Sequence, residues 1–143
     1  MCGDESLLTF DDYGIIASRR WELEIEASKT ANRVLFCDTS AMSTQYFCFL
    51  YEGKFNSLVA EFSKLENYDL IIYLDSDVPW VDDGLRKNPD RVYTDSVFES
   101  VLADYLDEHP HTRVEKISGN YNERLTKAIQ VVHNLLQQPI KLV

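Results

Sequence analysis

Seven residues limit what this chain can fold into: Tyr68-Asp69-Leu70-Ile71-Ile72-Tyr73-Leu74. From Leu70 onward every side chain is apolar. A strand with one wet face alternates apolar and polar residues, whereas a strand covered on both faces reads as an unbroken apolar run. The pattern therefore predicts a strand buried on both sides, as in a parallel sheet. Arg33-Val34-Leu35-Phe36-Cys37 reads as a second fully buried strand, ending in Asp38-Thr39. Thr112–Ile117 reads as a third, followed by the turn Ser118-Gly119-Asn120.

Helical patterns alternate with these strands. Thr9-Phe10-Asp11-Asp12 fits a capping box, with a carboxylate three residues after a Thr N-cap. The helix it opens should run to about Ala31, burying Tyr13, Ile16, Leu23 and Ala27 and leaving Arg19, Arg20, Glu22, Glu24 and Glu26 in water. Thr44–Tyr51 predicts a short helix of core aromatics closed by Gly53, and a further helix spans Phe55 to Leu65. Helical spacing returns at Val97, Val101, Leu102, Tyr105 and Leu106, and Tyr121–Leu136 predicts an amphipathic helix. Alternating strands and helices point to a layered α/β fold. Ligands in such sheets bind beyond the carboxyl ends of the strands. Here those ends carry Asp38-Thr39, Asp75-Ser76-Asp77 and Ser118-Gly119, which should converge on one crevice.

With 143 residues the chain is expected to form one domain, because domains hold roughly 100–200 residues. Its 24 acidic and 14 basic residues leave a net charge of −10. No Lys/Arg cluster is present to release counterions from a phosphate backbone, which argues against nucleic acid and anionic membrane as partners. Between Asp75 and Glu108 ten acids face three bases, so most of the negative charge lies in that quarter of the sequence. No apolar run approaches the roughly 20 residues that span a bilayer. The acidic start Met1-Cys2-Gly3-Asp4-Glu5 does not read as a signal peptide, and Cys2, Cys37 and Cys48 lack Cys-x-x-Cys spacing. Reduced thiols in a cytoplasmic protein are the expectation, with Cys37 inert in mid-core.

Two segments carry chemistry. An aspartate directly after a buried strand, as in Val34-Leu35-Phe36-Cys37-Asp38, is the Walker-B arrangement, in which the carboxylate holds Mg²⁺ directly or through water. Asp and Thr at a strand end serve equally well as turn and cap residues. In Asp77-Val78-Pro79-Trp80-Val81-Asp82-Asp83-Gly84-Leu85-Arg86, proline sets an indole where it can stack on a flat cationic ring. Arg86 and Arg91 suit transient clamping of phosphoryl charge. The alternative is a surface loop with Trp80 folded onto the core. Ile72-Tyr73-Leu74-Asp75-Ser76-Asp77 is also a strand-borne D-x-D of the kind that chelates Mn²⁺ and a nucleotide-sugar diphosphate in glycosyltransferases. His109-Pro110-His111 reads as a surface turn.

Taken with Tyr51-Glu52-Gly53 and Tyr68-Asp69-Leu70, these two segments resemble the ribosylnicotinamide kinase domain of the NadR family, a P-loop nucleoside kinase-like domain. The resemblance runs from about Thr9 to Leu136. It implies a three-layer α/β/α fold with a parallel sheet. The implied activity moves the ATP γ-phosphoryl to the 5′-hydroxyl of nicotinamide riboside, with ATP and Mg²⁺ as cofactors. Position by position, it implies Asp38 as the Mg²⁺-organising carboxylate, Trp80 as a ring-stacking residue near the nicotinamide, and Asp77 and Asp83 as negative charge for the pyridinium. Arg86 and Arg91 fall in the lid over the ATP phosphates, and Gly119 in the loop that passes the adenine.

A P-loop reads G-x-x-x-x-G-K-[ST], with backbone N–H groups cradling the phosphates. None of Gly3, Gly14, Gly53, Gly84 and Gly119 starts that motif, and no Gly-Lys-Ser/Thr occurs in these 143 residues. The expectation is a kinase-like domain without its first strand and P-loop. Either a second polypeptide supplies that strand, or the sheet closes over the gap; a homo-oligomer is the other partner expected. A riboside-binding or regulatory domain without turnover is the non-catalytic counterpart.

Overall fold

The computed structural model describes residues 8–79, 81 and 90–137. Elements follow in the order α1 (Phe10–Ser28), α2 (Ala41–Glu52), α3 (Ser57–Leu65), β1 (Leu70–Leu74), α4 (Arg91–Glu108), β2 (Arg113–Ile117) and α5 (Tyr121–Leu136). They group into two compact units. One holds the described residues of Met1–Asn67 and Asp82–His111, and the other those of Tyr68–Val81 and Thr112–Val143.

The first unit is helical. Its core gathers Tyr13 and Ala17 of α1, Ala41 and Cys48 of α2 and Val59 of α3, with Phe10 and Phe62 packed against them. The capping box at Thr9 forms as its sequence predicts, with Asp12 Oδ2 accepting from the Thr9 N–H at 2.7 Å. Gly14 lies against Leu58, so its missing side chain lets α1 and α3 approach closely. Leu23, expected in the core, is 52% exposed; the buried stripe of α1 runs through Tyr13, Gly14 and Ala17 instead. The α2 aromatics also depart from expectation. Met42, Thr44, Gln45 and Cys48 take the interior, while Phe47 and Tyr51 stack on each other at the surface, and Tyr46 meets Phe98 edge-on at 5.3 Å.

Polar side chains join these helices. Asn56 is buried and caps α3 by accepting from the N–H groups of Leu58 and Val59, and its Nδ2 donates to the Phe10 carbonyl. Gln45 exchanges two 3.0 Å hydrogen bonds with the Asn56 backbone. The buried carboxylate of Glu66 accepts from the Ala41 N–H at 2.6 Å. That amide opens α2 and has no partner inside the helix, and the positive end of the helix dipole favours an anion there. Tyr105 of α4 donates to the Glu66 carbonyl. His109 ends α4 stacked on Tyr105, with its ring nitrogens at the carbonyls of Tyr105 and Lys64.

The segment from Arg33 to Cys37 is not a strand. It is irregular, with Leu35 40% and Phe36 72% exposed. A strand exists only by pairing, and among the described residues the sheet has two members, β1 and β2, which pair with each other. Arg33 and Thr39 adopt left-handed φ angles of 72° and 67°, so the backbone turns out of extended geometry at both ends. The polar, Pro- and Gly-punctuated stretch from Asp75 reads as a connection as far as Val92, but the helix that follows it starts earlier. Asp90 caps α4 by accepting from the Tyr93 N–H, and the helix begins at Arg91.

In the second unit β1 and β2 are parallel, in register from Leu70↔Arg113 to Leu74↔Ile117. β1 is only half-buried and Leu74 is exposed, where the apolar run predicts cover on both faces. α5 follows β2 and packs on it, opened by a capping box between Asn120 and Glu123.

Asn56→Ala removes the α3 cap and leaves the Phe10 carbonyl without its donor. Urea unfolding should show a loss of about 2 kcal/mol with an unchanged slope.

Candidate functional site

The carboxyl ends of β1 and β2 meet the start of α5 in one polar cluster. Ladder pairing ends where the Asp75 N–H donates to the Ile117 carbonyl at 2.9 Å. Beyond it, Asp77 reaches across, and its Oδ2 accepts from the Gly119 N–H at 2.6 Å. Arg124, one turn into α5, donates from Nε to the Gly119 carbonyl at 2.7 Å and from a terminal nitrogen to the Asp75 carbonyl at 2.8 Å. The same terminal nitrogen pairs with Asp77 Oδ1. The Arg124 side chain is 11% exposed and that of Asp77 38%. Gly119 sits at φ 103°, where an L side chain is strained, and a Cβ there would also push aside the flexible end of the Glu123 side chain. Lys127 donates to the Ser118 carbonyl at 3.2 Å, from the next turn of the helix.

Both aspartates of the D-x-D are thus engaged by protein groups. Asp75 Oδ1 accepts from the Ser76 N–H and lies 3.4 Å from Lys116 Nζ. The pair shapes the loop, and no cluster of three or more potential metal ligands forms among the described residues.

In the helical unit, Asp38 lies on the exposed bend between the Arg33–Cys37 segment and α2. Arg20 of α1 holds that bend by donating to the carbonyls of Asp38 and Thr39. Arg20 is therefore half-buried and bound, where the α1 pattern predicts a wet side chain, and its Nε is buried with no hydrogen-bond partner among the described residues. A cavity of about 210 Å³ lies beside it, lined in part by Leu23, Leu35, Phe36 and Cys37. That is below the roughly 300–1,000 Å³ of a small-molecule pocket. Cys37 is half-buried rather than in mid-core. Burial first, and then the Glu24 carboxylate, push its thiol up to about 11, so it stays protonated and unreactive at neutral pH.

Of the residues singled out from the sequence, Asp77 and Gly119 are brought into direct contact. Arg91 is half-buried at the first turn of α4, and Asp38 stands at its bend in the helical unit. Trp80, Asp83 and Arg86 lie outside the described residues. The sequence pattern does not single out Arg20 or Arg124. Arg124 had a signal: Asn120-x-x-Glu123 marks a helix start, and a cation in a first turn opposes the helix dipole unless acceptors elsewhere hold it.

An exposed carboxylate such as Asp38 is a donor that Mg²⁺ takes, because that ion binds one or two carboxylates and fills its other positions with water and substrate phosphates.

The hydrogen bond from Gly119, helped by the Arg124 charge, holds the Asp77 carboxyl below the ordinary 3.8. A depressed carboxyl stabilises the fold above its unfolded value and loses that contribution as pH falls through the folded one. Asp77→Asn should therefore be less stable than the parent at pH 7, with the difference closing below pH 3.8. Thermal melts across pH 2–7 check this, with the neighbouring Asp75, Lys116, Glu123 and Lys127 left intact.

The sequence has relatives. The model of a family described as AAA domain matches residues 7–124. The trifunctional NAD biosynthesis/regulator proteins NadR of Escherichia coli (strain K12) and of Salmonella typhimurium (strain LT2) are each 33% identical over 134 residues. The match takes in 94% of this chain and 32% of each relative, so the chain spans about a third of the length of the curated relatives it matches. No helix among the described residues is long and apolar enough to cross a membrane. With the family model matched over most of its length, the chain belongs to the AAA domain family.

Proposed function

We propose that the chain is a ribosylnicotinamide-kinase-like domain of NAD biosynthesis, with residues 1–143 belonging to one domain of P-loop-kinase type. The observation that carries this is the 33% identity with NadR proteins over 94% of the chain. In the proposed reaction the riboside 5′-oxygen forms a bond to the γ-phosphorus of ATP. The bridging bond to the β-phosphate breaks, ADP leaves, and the hydroxyl proton passes to solvent.

The residue roles are those that the family resemblance implies, and the chemistry of each side chain suits its role. Asp38 would hold Mg²⁺, which neutralises charge on the β and γ oxygens. Asp77 and Asp83 place negative charge near a cationic pyridinium, and Trp80 offers a face for it to stack on. Arg86 and Arg91 are the cations for phosphate, and the Gly119 turn accommodates the adenine. The excess of acids between Asp75 and Glu108 favours a cationic nucleoside over an anionic one.

Phosphoryl transfer depends almost wholly on positioning and charge neutralisation. These 143 residues encode no G-x-x-x-x-G-K-[ST] segment. That favours a second reading for the chain by itself, riboside binding with little turnover.

Calorimetry with nicotinamide riboside, alongside chromatographic detection of nicotinamide mononucleotide in the presence of Mg-ATP, separates the two readings. The expected result is saturable riboside binding weakened about tenfold by Trp80→Ala, with turnover at least a hundredfold below that of an intact P-loop kinase. A chain that binds neither riboside nor ATP would overturn the proposal.

A further inference from the structure

We infer that Arg124 is a positioning residue that locks the loop after β1 to the turn after β2, so that both segments at the carboxyl edge of the sheet are ordered together.

The need for such a lock follows from where the ladder stops. The last backbone bond between the two strands runs from the Asp75 N–H to the Ile117 carbonyl. Past that point the chains separate into Ser76–Pro79 on one side and Ser118–Asn120 on the other. The links that cross between them involve Asp77 and Arg124. Asp77 Oδ2 takes the Gly119 N–H, its Oδ1 takes the Arg124 guanidinium, and Arg124 Nε returns to the Gly119 carbonyl. This closes a ring through three residues. The further bond from Arg124 to the Asp75 carbonyl anchors the ring to the end of β1.

A guanidinium suits this task because its donors lie in one rigid plane and reach several acceptors at once. An ammonium is a single point charge and cannot hold the same three oxygens in that arrangement. The Arg124 side chain is 11% exposed, with its bonds to the Gly119 and Asp75 carbonyls partly buried and the one to Asp77 nearer water. The ring also fixes the direction in which the chain leaves Asp77 toward Pro79. Ligands of parallel sheets lie at this edge, so a group bound at one segment meets a backbone whose order depends on the other. Only the choice of ligand rests on the function proposed above.

Amide hydrogen exchange on the full chain tests the inference, comparing the parent with Arg124→Ala, Arg124→Lys and Asp77→Asn. Protection at Gly119 and at Ser76–Val78 should fall about tenfold together in Arg124→Ala, and less in Arg124→Lys. Amides of Ile71–Tyr73 and Val114–Lys116 should keep the parent's protection, which marks the effect as local. Asp77→Asn combined with Arg124→Ala should add little to Arg124→Ala alone. Binding of ADP to the parent should slow exchange at Ser76–Val78, and Arg124→Ala should abolish that remote effect, which a merely structural arginine would not control. Unchanged exchange at both segments in Arg124→Ala, or loosening of Gly119 alone, overturns the inference. If the alanine variant does not fold, the lysine and asparagine variants decide by the same criterion. A parent chain that binds neither ADP nor riboside overturns the functional reading, and the exchange of the unliganded proteins then decides the inference by itself.

Discussion

Parallel pairing of Leu70–Leu74 with Arg113–Ile117 is the contact on which the candidate site depends. Parallel strands deliver their carboxyl ends to the same edge, and here that puts Asp75 and Asp77 opposite Ser118 and Gly119. An antiparallel pair would send one of these loops to the far end. Parallel strands also cannot be joined by a tight turn. In chain order α4 lies between the two strands. The most acidic part of the sequence therefore lies between the two strands rather than in a terminal tail.

The same dependence on pairing explains the largest departure from the sequence pattern. Val34–Cys37 is as apolar as a buried strand, and Asp38 follows it as a Walker-B carboxylate would. Hydrophobic content makes a segment eligible for a sheet, but hydrogen-bonding neighbours make it a strand. Without one among the described residues, the segment bends at Arg33 and Thr39, and Phe36 meets solvent. β1 shows a milder form of this effect. Its unbroken apolar run matches a strand with cover on both faces, yet with β2 as its one strand neighbour among the described residues it is only half-buried.

Charged and polar side chains do much of the joining that apolar packing does elsewhere. Glu66 ties the start of α2 to the end of α3, Asn56 links α3 to α1, and Arg20 holds the bend that carries Asp38. Each meets backbone groups that a helix end or a loop would otherwise leave unsatisfied. Arg124 does the same for the two loops at the sheet edge, and Asp77 belongs to that structural network as well as to the proposed binding surface. Its two carboxylate oxygens are committed to Gly119 and Arg124. A contribution of Asp77 to a cationic ligand would therefore be through charge rather than through a direct chelating bond.

Elements with local causes could be read from residue order. The capping box at Thr9 set the start of α1, Gly53 in the left-handed region closed α2, and the limits of α5 were legible as Tyr121–Leu136. The resemblance to the NadR family was legible as well, because it rests on residue order and needs no geometry. Tertiary structure decided the rest. It alone determined that Val34–Cys37 has no strand partner among the described residues, that Leu23 faces water while Gly14 and Ala17 pack, and that Arg20 and Arg124 turn inward to backbone carbonyls. A cap or a turn is settled by neighbours three or four residues away. A strand, a buried guanidinium or a clasp such as Asp77–Gly119 is settled by partners 19 to 49 positions distant, and no local pattern records them.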